Sequence, residues 1–281
     1  MSTSRKTMRA VGTSLRFVVL TVGAIVMILP FAYMVSTAFK PQAYVLETPP
    51  KFIPDPGTVD NFVQAWTTQD FSRYAMNSAF VSVTSTVLAV WFSSMMAYAF
   101  ARFDFPGKEW FFRALLLGLM IPSMMLIIPQ FVLTKQLHLI DNLWALVLFY
   151  VSGNLALNTF LLRSFFEGIP RELDEAMEVD GANVWTRYWR LAMPLARPAL
   201  ATTVIFTFLA TWDEFAWALT VISTETKRTL PIAIQLFHGQ NSTQWGLVFA
   251  ASLIAILPVI VVYLIFQRHF VAGLTAGAVK G

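Results

Sequence analysis

Read for its apolar and polar positions alone, the chain is a series of long apolar blocks separated by short polar stretches. Blocks at about 16–39, 77–101, 111–133, 143–165, 198–222 and 245–267 each reach the roughly 20 apolar residues that a bilayer core about 30 Å thick asks of a helical span. The pattern predicts an all-α polytopic membrane protein with six transmembrane helices. Within the third block, Pro122 and Pro129 each remove a backbone donor, so this helix is expected to be kinked or broken at both. Irregular backbone at membrane depth is tolerated only against protein or a water-filled cavity, which makes the third span a candidate cavity wall. The stretch 40–72 carries Pro41, Pro49, Pro50, Pro54, Pro56 and Gly57. It is predicted to be irregular except near its end, where Asp60 is placed as the cap of a short helix through Asn61, Phe62 and Trp66.

Composition supports the membrane assignment: 57% of the 281 residues are hydrophobic and only 13% charged. The formal charge of +4 raises nucleic acid as a partner. However, no dense basic run exists, and the distribution of Lys and Arg follows the loops instead. Arg5, Lys6, Arg9, Arg16, Arg102, Lys108, Arg113, Arg163, Arg171, Arg187, Arg190, Arg197, Arg268 and Lys280 fall on one side of a six-span topology. Lys40, Lys51, Arg73, Lys135, Lys227 and Arg228 fall on the other. The positive-inside rule then puts both termini and the 102–110 and 166–197 loops in the cytoplasm, and 40–72 outside. The first apolar run follows basic residues but is too long for a signal core and precedes no small-residue cleavage pattern, so it reads as a retained helix.

Several chemistries drop out. Cysteine is absent, which removes disulfides, thiolate metal sites and cysteine nucleophiles. His138, His238 and His269 are scattered, no cluster has metal-ligand spacing, and no metal site is expected. A phosphate-binding loop is missing too, since Gly107-Lys108 is followed by Glu109 and preceded by no suitably placed glycine. The chain is therefore expected to be no enzyme and to bind no cofactor itself.

The most charged stretch, Glu167 to Pro194, is patterned as two short helices. Pro170 suits a first helical position, and Glu172, Asp174 and Glu175 put negative charge on the first turn, where the helix dipole favours it. Leu173, Ala176 and Met177 form an apolar stripe at i, i+3, i+4. Asp180-Gly181 marks a helix end. Trp185, Tyr188, Trp189 and Ala192 then form a second stripe, which Pro194 is expected to stop. Each apolar face must be buried, against lipid headgroups or in a groove on a cytoplasmic partner.

Glu175-Ala176-Met177, three residues, Gly181, nine residues, Leu191, one residue, Met193-Pro194 resembles the EAA loop, EAA-x3-G-x9-I-x-LP, of the permeases of binding-protein-dependent ABC importers. It departs at Met177, Leu191 and Met193, conservatively, and keeps the spacing. The resemblance implies a type I ABC importer permease fold with the loop as coupling helix, seated in a cleft of an ATPase subunit. Glu175, Ala176, Met177, Asp180, Gly181, Leu191 and Pro194 would then be the coupling residues. Thr211-Trp-Asp-Glu-Phe215, Thr229-Leu-Pro231 and Phe270-Val-Ala-Gly-Leu-Thr-Ala-Gly-Ala-Val-Lys-Gly281 resemble segments of the MalG-type sugar permeases. This implies a bacterial inner-membrane subunit for carbohydrate import. Its partners would be a second permease, a dimer of ATPase subunits that bind the ATP and Mg, and an extracytoplasmic sugar-binding protein.

The domain division that follows is 1–72 for the tail, first helix and external loop, 73–268 for the transmembrane core, and 269–281 for a cytoplasmic tail. Asp213 and Glu214 lie about 21 Å into the fifth block at 1.5 Å per residue, and intramembrane carboxylates are functional candidates. With Trp212 and Trp217 they make an aromatic-plus-acceptor set suited to a sugar, whose C–H face packs on rings while its hydroxyls bond to carboxylates. Tyr150, Asn154 and Asn158 share a face of the fourth span and are candidates for the same path or for interhelical hydrogen bonds. No cluster of Lys or Arg lies within the spans, which favours a neutral or amino sugar over an anionic cargo. Three rival readings stand: an ion-coupled transporter with Asp213 or Glu214 as proton site, an importer permease for a polyol or glycerol-phosphate-type cargo, and a membrane-embedded enzyme.

Overall fold

The computed structural model describes residues 2–239 and 243–278, with side chains over 13–68, 70–239 and 243–268. Among them the chain is helical, with one isolated bridge between His238 and Thr243. The helices are α1 Ser2–Ala38, α2 Asp60–Thr67, α3 Phe71–Arg102, α4 Lys108–Leu117, α5 Ile127–Gln136 and α6 Leu143–Glu167. They continue as α7 Arg171–Val179, α8 Val184–Arg187, α9 Met193–Leu195, α10 Arg197–Trp212, α11 Ala216–Val221, α12 Leu230–Gln235 and α13 Trp245–Ala278. Two compact units emerge, one of residues 1–69 and 234–254, the other of 70–233 and 255–281.

Among the described residues four helices are long and apolar enough to cross a bilayer by themselves: Thr13–Ala38, Phe71–Arg102, Leu143–Glu167 and Trp245–Arg268. Two bent pairs raise the number to six if each pair is one span. The third apolar block is one of these, turning by 95° between Lys108–Met120 and Ser123–Gln136. Pro122 causes the break: it lacks a donor and forces Ile121 into extended backbone (φ −89°, ψ 117°). Pro129 was expected to interrupt the helix too, but it sits in the first turn of α5, where its missing N–H has no helical partner to lose. The fifth block also differs from expectation. It is no continuous helix, because α10 stops at Trp212 and α11 restarts at Ala216.

In the first unit, Asn61 on α2 donates to the carbonyls of Ala38 and Lys40 at 2.8 and 2.7 Å, satisfying the open end of α1. A Cβ on Gly246 would lie 2.8 Å from the Asn61 amide, so glycine allows α13 to begin against it. Asp60 does not cap α2 as expected. It is the first helical residue, and its amide donates to Thr58 Oγ1 at 3.1 Å, so the short hydroxyl two residues earlier accepts the first free amide.

The second unit is built on α3, α6 and α10. Ser78, Ser82, Ser85, Ala89, Ser93 and Ala97 recur every three or four residues along α3 and are all buried, a stripe of small side chains that lets helix backbones approach closely in a membrane. One apolar cluster gathers Val81, Leu146, Tyr150, Trp217 and Val221, and a second gathers Tyr98, Leu162, Phe166, Tyr188 and Ala192. Arg163 on α6 holds α4 in place, with Nη2 2.9 Å from Glu109 and its guanidinium 4.0 Å above the Phe112 ring.

The C-terminal segment 270–281 that resembles sugar permeases has no described side chains; its backbone is helical to Ala278.

Candidate functional site

Two places in the second unit gather the residues singled out by sequence. The first is the α7–α8 elbow. Pro170 stands one position before α7 instead of at its first residue, its carbonyl accepting from the Leu173 amide. Gly181 ends the helix at φ +80°, with its amide on the Glu178 carbonyl and the Ala182 amide on that of Met177, both at 2.9 Å. This paired closure needs a left-handed residue after the cap, which glycine enters without strain. Asn183 then caps α8, accepting from the Thr186 amide at 2.8 Å.

The second stripe divides. Tyr188 and Ala192 are buried in the unit, with Tyr188 Oη 2.7 Å from Ser94 Oγ. Trp185 and Trp189 point out, half exposed. Tyr188–Ala192 forms a π-type turn ahead of Pro194. The helix continues to Leu195, so Pro194 does not stop it; the wider turn absorbs the missing proline donor.

No residue of α7 is buried. Leu173 and Ala176 lie exposed on one face, and Val179 is 88% exposed beside the turn. Glu175, Asp180, Gly181 and Pro194 are exposed as well, while Met177 and Leu191 are half-buried. The opposite side of α7 closes an open recess of about 280 Å³ with Tyr98, Arg102, Arg171 and Arg187. There Arg102 Nε stands 3.0 Å from Asp174 Oδ2, and Arg187 pairs with Glu178.

The second place is a recess of about 230 Å³ formed where two spans break. Tyr150 and Asn154 enter from α6, Glu214 and Trp217 from the α10–α11 break, and Ser123 and Gln130 from the broken third span. Among the described residues its lining contains no Lys or Arg. Glu214 is fully engaged: Oε1 accepts from the Trp217 amide at 2.7 Å, and Oε2 from the Ala218 amide at 3.1 Å and Tyr150 Oη at 2.5 Å. It caps α11, whose free amides would otherwise be unpaired. Trp217 packs edge-on against Phe149, ring centroids 5.0 Å apart.

Three of the residues singled out lie elsewhere. Trp212 is buried on another side, stacked on Phe208 and donating to the Ala255 carbonyl at 3.0 Å. Asp213 is exposed outside the recess, at the end of α10. Asn158 is buried and donates to Thr207 Oγ1 at 2.8 Å, an α6–α10 hydrogen bond. Ser123, Gln130 and Thr211 were not singled out; only Pro122, marking the third span as a cavity wall, pointed toward the first two.

Against known proteins, the family described as "Binding-protein-dependent transport system inner membrane component" matches residues 89–275. The trehalose transport system permease protein SugB of Mycobacterium tuberculosis is 37% identical over 256 residues, covering 90% of this chain and 93% of that protein. The sulfoquinovosyl glycerol transport system permease protein SmoH of Agrobacterium fabrum is 34% identical over 275 residues, covering 96% and 95%. Among solved structures, a chain of a bacterial ABC transporter involved in the import of the acidic polysaccharide alginate aligns with a TM-score of 0.80 and 25% identity, over 96% of this chain and 99% of that one.

Proposed function

Because this chain belongs to the inner-membrane components of binding-protein-dependent transport systems, we propose that it is one permease subunit of an ATP-driven sugar importer. It forms half of a six-helix-per-subunit pathway, with both termini and the α7–α8 elbow in the cytoplasm. The observation that carries the coupling role is α7 itself: a short helix with no buried residue, an exposed apolar face, and a rigid glycine closure at one end. An apolar face held out by a structured elbow fits a groove on a second protein. In this reading a pair of ATPase subunits binds the ATP and Mg, a second permease completes the path, and a binding protein delivers the cargo.

The cargo reading rests on the relatives named for trehalose and sulfoquinovosyl glycerol and on the chemistry of the recess. Asn154, Gln130 and Ser123 offer donors and acceptors to hydroxyls, beside the rings of Phe149 and Trp217. With no cation in the lining, a neutral sugar is the better fit. An acidic cargo, such as the alginate or the sulfonate-bearing sulfoquinovosyl glycerol named for two of these similar proteins, would need its positive partner from the second permease. Glu214 is engaged in capping, which leaves the ion-coupled alternative without a free carboxylate in the recess.

The test is Gly181→Trp in the full reconstituted complex. A Cβ on Gly181 meets nothing within 4 Å, but at φ +80° any side chain strains the left-handed closure, so the substitution both distorts the elbow and sends an indole outward into the space that the partner would occupy. The complex should assemble, and loaded binding protein should no longer stimulate ATP hydrolysis or uptake. Stimulation and uptake both unchanged would falsify the coupling assignment.

A further inference from the structure

α3 is the one long element of the second unit that carries neither proline nor glycine; its 32 residues span about 48 Å at 1.5 Å per residue. The third apolar block is bent by 95° at Pro122, the fifth is interrupted between Trp212 and Ala216, and a broken helix absorbs a push by bending at the break. At one end of α3, Arg102 is only 7% exposed on its side chain, with Nε 3.0 Å from Asp174 Oδ2 on α7 and Nη2 2.9 Å from the Ile169 carbonyl. Asp174 is itself 16% exposed. About 38 Å away along the same helix, Asn77 Nδ2 donates to the carbonyls of Thr226 and Arg228 at 2.9 and 2.8 Å. Ser78 Oγ accepts from the Leu230 amide at 2.8 Å. One unbroken rod is thus fastened to α7 at one end and to the 224–230 loop at the other.

We infer that Arg102 is a positioning residue that locks α7 to α3, so that a displacement of α7 is carried along α3 to the 224–230 loop on the opposite side. This rests on the coupling role proposed above for α7 and adds the path beyond it. The physical basis is the burial of the pair. A largely buried guanidinium and carboxylate, 7% and 16% exposed at the edge of the recess, lose their closest opposite charge if they separate, which favours the two helices moving together. The exposed face of α7, Leu173 and Ala176, takes no part in the lock and stays free for its partner. The remaining charges around the pair are Arg171, Glu175, Glu178 and Arg187, which line the same recess. Glu178 is already paired with Arg187.

The experiment measures cargo imported per ATP hydrolysed in the reconstituted complex, at equal assembly and thermal stability, for wild type, Arg102→Met, Asp174→Asn and the exchange Arg102→Asp with Asp174→Arg. Because the chain has no cysteine, Ala176→Cys reports docking of α7 on the ATPase by crosslinking in each background. With the lock broken, docking and basal hydrolysis should persist. Cargo per ATP should fall on the order of 5- to 150-fold, the range of a coupling free energy between sites, and the exchange should move it back toward wild type. Asp174→Asn keeps shape and size, so it carries the test alone if Arg102→Met does not assemble. Single variants that stay within about twofold of wild type overturn the lock. A crosslink missing even in the wild-type background overturns the docking of α7, which is a different failure.

Discussion

Glu214 illustrates how a residue's chemistry depends on what it touches. A carboxylate deep in an apolar block is costly unless paired, and here three donors meet it: two backbone amides of α11 and the Tyr150 hydroxyl. Glu214→Leu leaves all three without an acceptor at about 1–3 kcal/mol for each group left unpaired. The expected outcome is a clear fall in the unfolding midpoint of the detergent-solubilised protein, with Glu214→Gln, which keeps one carbonyl oxygen, falling less. Equal midpoints for wild type and Glu214→Leu would show that these bonds are not holding α11. Asp213, next to it in sequence, points out of the recess, so its replacement by Asn should leave the midpoint close to wild type.

Between elements, close approach comes first and hydrogen bonds second. The serine and alanine stripe of α3 makes room, and within that packing Asn158 on α6 reaches Thr207 on α10. A double-mutant cycle with Asn158→Leu and Thr207→Val should give an interaction of about 0.6 kcal/mol and no more than about 1.7 kcal/mol, the mean and maximum for hydrogen bonds between membrane helices. Additive single effects in an unfolding titration would show that the pair is not coupled. Element ends are decided by the same local physics. Pro122 breaks its span and Pro129 does not, because the first lies where helical amides are needed and the second where they are not.

Across the second unit, one loop residue joins two connections distant in sequence. Asp141 accepts from the amides of Ser223 and Thr224, from Thr224 Oγ1 at 2.6 Å and from Lys227 Nζ at 3.0 Å. Desolvation alone would raise its pKa. The hydrogen bonds from Thr224, Lys227 and Ser223 outweigh this and hold the carboxyl well below the usual range. A depressed folded-state pKa means that the unfolded chain takes up the proton first. The contribution is therefore complete above the unfolded value of about 3.9 and is lost as pH falls below it, through the lower folded value. The midpoint of the wild type should thus decline below about pH 4, while Asp141→Asn should start lower at pH 7, by roughly 2–4 °C for each kcal/mol lost, and show a shallower acid branch. Superimposable acid branches would rule out Asp141 as the titrating link.

The membrane class, the position of the apolar blocks and the elbow at Gly181 were legible in the sequence, because they depend on local quantities: run length, helical period and the backbone freedom of one glycine. The grouping of Tyr150, Asn154, Glu214 and Trp217 was legible only in part, since Trp212, Asp213 and Asn158 looked equivalent to them along the chain. Their separation depends on where α10 stops and which way each side chain turns after it, and that is fixed by partners far away in sequence, such as Ala255 for Trp212 and Thr207 for Asn158. The entry of Ser123 and Gln130 into the recess, and the pairing of Arg102 with Asp174 across 72 residues, were likewise decided by the tertiary structure. A sequence pattern specifies which face of a helix is apolar or polar; only packing specifies which other helix that face meets.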